Sequence, residues 1–200
     1  MLLRISLAAF LSAVVLMLWG YVFWIGLGVP NAVLHPLPVG DQLAPALKAK
    51  IPAPGVYFWP APPTEDVLRD PKRFAAYVAQ HRLGPIVHLF YRPEGTNPMG
   101  VTTYARGFLH FFVSSWLAGW LLALIGPRRA TYWSRMGFVV LLGVFAAVFV
   151  NLSPPIWFQH PWDYHLVLAA FDCFNALLMG IVLGAIVKPL PGAYWSLDGK

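Results

Sequence analysis

A handful of side chains able to do chemistry stand where this sequence is otherwise apolar: His110, Asn151, His165 and Asp172, with His160 between two apolar runs. An ionisable side chain inside an apolar helix is costly and tends to face the bundle interior. His165 and Asp172 are seven residues apart, about two helical turns, so they share one face. Ala169, Ala176, Gly180 and Gly184 continue that stripe, and GIVLG is a GxxxG pattern of the kind that lets helices approach closely. Asn175 adds a second polar group to the same run. In the run before it, Gly143 and Ala147 lead to Asn151. Earlier, His110 and Ser114 lie one turn apart, and Ser115 and Gly119 form another pair of small residues.

Three chemistries fit this set. The first is structural: Asp172 bonded to Asn151, Ser114 or a histidine would hold helices in register. The second is a haem or metal centre, with His110 and His165 as ligands from different helices and His160 as a third nitrogen. The third is a proton, ion or quinone path through Asp172 and His165. No HxxxH or HxH spacing tightens the second reading, and no internal repeat supports the third. The sequence has no GxSxG, HExxH, P-loop or GxGxxG motif. The structural reading ranks first, with no cofactor expected.

The elements that must position these residues are membrane spans. The 200 residues are 58% hydrophobic and 11% charged, against about 25% charged in a soluble domain. Four runs reach the roughly 20 residues that cross about 30 Å of hydrocarbon: about Leu3–Leu27, Gly107–Ile125, Arg135–Leu152 and Tyr164–Val187. The first exceeds a signal-peptide core and reads as an uncleaved anchor over residues 1–29. The lone Cys173 excludes a disulfide framework within the chain. The basic residues are scattered, which argues against nucleic acid and makes them topology signals. Arg4, Arg128, Arg129, Arg135, Lys188 and Lys200 flank one set of span ends, while Ser153–Asp163 has no Lys or Arg. Both termini, including the tail 189–200, are therefore expected in the cytoplasm, with residues 30–106 outside. Arg106, just before the second span, runs mildly against this. The expected fold is mainly α: a four-span bundle, completed by residues 107–188, with a small α+β lobe between spans one and two.

Within the lobe, Asp41–Ala49 is expected to be a short helix and Gly55–Trp59 a strand. Asp70 caps a helix over Pro71–His81 that places Phe74, Tyr77 and Val78 on one face and ends at Gly84. Pro85–Arg92 reads as a second strand, and Pro93–Gly100 as turns. In the last outer turn, IWFQHPWDYH (Ile156–His165) supplies an aromatic belt, and Asp163 is placed to cap the fourth span.

The PAPGVYFWP stretch, the HRLGPIVHLFYRPEGTNPMG stretch, and WFQHPWDYH followed by a Gly-rich last helix give the chain a resemblance to a group of four-span bacterial inner-membrane proteins. These carry GxYxxP and GPxxxLxYxPEG elements and have no established activity. The resemblance implies the same layout and supplies no catalytic residues. The functional expectation is a non-catalytic accessory or interaction protein of the inner membrane. Its partners would be the lipid bilayer and a membrane-protein partner or second copy.

Overall fold

The computed structural model describes residues 1–124 and 131–188. The chain is mainly helical, with one small two-stranded sheet. It divides into two compact units, Pro36–Asn97 and the remainder. The sequence-based lobe, 30–106, is wider than this unit. Val29–Ala32 is instead a 3₁₀ turn packed on the last long helix, and residues from Val101 already belong to a long helix.

The helical unit contains α1 (Leu2–Tyr21), α5 (Val101–Leu124), α6 (Tyr132–Asn151), the short α7 (Ser153–Phe158) and α8 (Trp162–Ile186). Among the described residues, four stretches are long and apolar enough to cross a membrane: Leu2–Gly26, Val101–Leu124, Tyr132–Phe158 and Trp162–Ile186. Arg128 and Arg129 of the basic turn, and the tail 189–200, lie outside the described residues. The first stretch loosens into a π turn over Val22–Gly26, closed by Leu27 N–H on the Val22 carbonyl at 2.7 Å. It stops at Gly28, whose φ of 61° suits glycine.

Three boundaries differ from expectation. Helix α5 starts at Val101 rather than Gly107. The Gly100 carbonyl accepts from Thr103 and Tyr104 N–H, so the turn residues start the helix before its apolar stretch begins. Helix α7 replaces an expected loop, because Pro154 and Pro155 fall in a first turn, where a missing N–H costs nothing. Asp163 does not cap α8. Pro161 holds the cap position, and Asp163 sits in the first turn, where a carboxylate favours the helix dipole.

Packing places α1 between α5 and α8, and α8 between α1 and α6. Small residues make these approaches possible. A Cβ on Gly143 would stand 2.1 Å from the Ala176 Cβ, and one on Gly180 3.0 Å from the Met136 carbonyl oxygen. Between α1 and α5, Ala9, Ser12, Ser115 and Gly119 are buried, and a Cβ on Gly119 would meet Ile5 at 3.2 Å. At one end all four long helices share a core that includes Ile5, Leu122, Val139 and Leu183. Toward the other end, α1 and the π turn that follows it join α8 through aromatic contacts, Trp19 on Phe174 at 5.3 Å and Phe23 on Phe171 at 4.7 Å between ring centroids.

The second unit holds α2 (Gly40–Lys50), β1 (Gly55–Trp59), α3 (Glu65–Arg69), α4 (Pro71–Leu83) and β2 (Val87–Tyr91). The strands pair antiparallel, with Tyr57 opposite Leu89 and Trp59 opposite Val87. The GxYxxP and GPxxxLxYxPEG elements are thus the two strands and the turns beside them. Asp70 caps α4 as expected, accepting from Lys72 N–H at 2.9 Å and Arg73 N–H at 3.2 Å. Phe74 stacks on Tyr77, and Gly84 ends the helix at φ 66°. Helix α3, too short to announce itself by periodicity, is braced by the Glu65–Arg69 ion pair. The Thr64 hydroxyl donates to Asp66 and holds its carboxyl below the ordinary range, with Arg73 adding attraction at 2.8 Å. Asp70→Ala is expected to cost about 1 kcal/mol of α4 stability. Amide exchange checks this: Lys72 and Arg73 should lose protection, while Val87–Tyr91 should not.

In this unit, Pro60 is the single buried residue. Trp59 is 51% exposed and Phe90 is 74% exposed. A lone two-stranded ribbon is marginal in water, so this unit leaves much of its apolar surface without internal cover.

Candidate functional site

The polar residues of the helical unit gather on the α6–α8 seam. Asn151 is the last residue of α6, and its amide Nδ2 donates to Asp172 Oδ2 on α8 at 2.7 Å. Asn151 is buried and Asp172 half-buried. After α7, Gln159 takes a left-handed conformation (φ 54°) and turns the chain so that His160 folds back onto α8. His160 Nδ1 and His165 Nε2 then lie 3.0 Å apart. One of these nitrogens carries the proton and the other accepts it. His165 is buried, with Tyr164 edge-on to its ring at 5.2 Å.

The face read from the sequence is the face that packs. Asp172, Ala176, Gly180 and Gly184 all meet α6, at Asn151, Gly143 and Met136. Ala147 is buried and Ala169 half-buried. At the opposite end of the seam, Arg135 is buried and its Nε donates to the Gly184 carbonyl at 2.8 Å. That carbonyl lies in the last turn of α8, where helix carbonyls lack intrahelical donors, and a cation there also favours the dipole. By sequence Arg135 opens the third span and reads as a topology signal. Nothing local distinguishes it from Arg128 or Arg129; its role depends on Met136, the next residue, packing against Gly184.

Other expected meetings do not form. His110 does not oppose His165: it is exposed on α5, its ring against Phe111, and α5 packs chiefly on α1. His165 takes its partner from its own turn. Ser114 is half-buried on α5, and Asp172 accepts from Asn151 rather than Ser114. Asn175 is buried, with its Oδ1 unpartnered among the described residues. Among the described residues, no group of three or more His, Cys, Asp and Glu side chains is placed to hold a metal ion.

The arrangement therefore acts chiefly as a clasp. The Asn151–Asp172 bond fastens one end of the α6–α8 seam, Arg135 fastens the other, and glycines close the distance between. Compared with known protein families, curated proteins and solved structures, the chain matches none.

Proposed function

We propose that this is a multi-pass protein of the bacterial inner membrane, with both termini cytoplasmic and the lobe periplasmic, that serves as a non-catalytic accessory subunit of a larger membrane complex. The observation that carries the reading is the lobe. Apart from Pro60 it buries none of its residues, and large exposed apolar patches mark interaction surfaces. The ribbon offers the cross-strand pair Val56 and Phe90 on one face and Trp59 on the other for such contacts. The helical unit supports the same role, since its polar and small residues on the α6–α8 seam bring those two helices together. The topology rests on the absence of Lys and Arg from Ser153–Asp163 against their presence at the opposite span ends.

The test is native electrophoresis of gently solubilised membranes. The wild-type chain is expected in an assembly well above its own mass. Trp59→Asp combined with Phe90→Asp should release it as the isolated chain with unchanged helical content. A wild-type chain already running at its isolated size would reject the reading.

A further inference from the structure

The exposed face of α5 is divided into two chemistries. Thr103, Arg106 and His110 are exposed and recur at three- and four-residue spacing, so they form one stripe. Val113, Leu117 and Leu121 continue the same face and are 45%, 53% and 43% exposed. Neither Arg106 nor His110 has an ion pair or hydrogen bond among the described residues. Arg106 stands just before the apolar stretch of this helix, and His110 lies about 6 Å further along its axis. An arginine with an imidazole and a hydroxyl beside it, giving way to an aliphatic strip along one helix face, complements one kind of molecule: an amphiphile with an anionic head and hydrocarbon tails.

We propose that this face of α5 binds an anionic phospholipid. Arg106 and His110 hold its phosphate, Thr103 donates its hydroxyl, and the acyl chains lie along Val113, Leu117 and Leu121. Guanidinium suits phosphate because its planar fork donates two parallel N–H bonds. The lipid also accounts for two polar side chains that face outward from a helix of spanning length, a costly arrangement in hydrocarbon alone. The proposal rests on the membrane reading above.

The test reconstitutes the full chain in phosphatidylcholine vesicles carrying a trace of photoactivatable phosphatidylglycerol or photoactivatable phosphatidylcholine, and maps the adducts by mass spectrometry. The expected result is preferential labelling of α5 by phosphatidylglycerol. Loss of the Arg106 charge near an anionic lipid surface should weaken it about fivefold. Arg106→Gln with His110→Gln should therefore bring labelling down to the phosphatidylcholine level, and Arg106→Lys should keep most of it. Both side chains are exposed, so circular dichroism of the double variant should match wild type. If it does not, the wild-type preference between the two lipids still decides. Equal labelling by both lipids, or a double variant labelled like wild type, overturns the proposal while leaving the membrane reading intact. Loss of labelling on adding inorganic phosphate would assign the site to a free anion and also overturn it. A chain extracted from the vesicles by alkaline carbonate would overturn the membrane reading itself, and the lipid site with it.

Discussion

Gly143→Ala is expected to force α6 away from α8 and lower stability by about 1–3 kcal/mol, toward the upper end of that range. The added Cβ would stand 2.1 Å from the Ala176 Cβ. That atom is fixed to a helix backbone and has no rotamer to escape into, so the helices themselves must part. The shift would also strain the Asn151–Asp172 and Arg135–Gly184 bonds at the two ends of the seam. The compensating change sharpens the prediction. With Ala176→Gly added, the nearest Ala176 atom left to the new methyl is Cα at 3.4 Å, an ordinary contact. Reversible unfolding in bicelles should show the single variant destabilised and the double variant recovered to within about 1 kcal/mol, the cost of one glycine in a helix interior. If the single variant unfolds like wild type, the close seam is not the one described here.

Asp172→Leu is expected to cost about 1–2 kcal/mol. The change leaves the buried Asn151 amide without its acceptor, and an orphaned buried polar group costs more than the bond itself contributes. Hydrogen bonds between membrane helices average about 0.6 kcal/mol, so a coupling of that size is the specific signal. A double-mutant cycle with Asn151→Leu reads it. The double variant should lose less than the sum of the singles, because no unpaired partner remains. Asp172→Asn should be nearly neutral, since its amide oxygen accepts the same bond. Additive losses, or an Asn variant as unstable as the Leu variant, would show that Asp172 serves something other than Asn151.

Much of this molecule was legible before its structure. The four apolar stretches declare themselves by length. Asp70-Pro71 announces a helix start by cap chemistry, and the small-residue stripe on α8 follows from helical periodicity alone. What escaped was set by short or non-local causes. Helix α3 spans only Glu65–Arg69, less than two turns. Helix α7 was hidden because its prolines read as a loop when they fall in a first turn. Arg135 looked like any topological arginine, because its partner, Gly184, lies 49 residues away.

The histidines show the division most clearly. Sequence spacing fixed that His165 and Asp172 share a face, since 100° per residue leaves no freedom over two turns. Which helix meets that face is a matter of tertiary packing. The chain set α1 between α5 and α8, left His110 on an exposed face, and gave His165 a partner five residues away. The sequence alone determined the number, length and polar faces of the helices, because these follow from local geometry and hydropathy. Only the tertiary structure decided which polar groups meet, because that depends on which small residues let which pair of backbones come close.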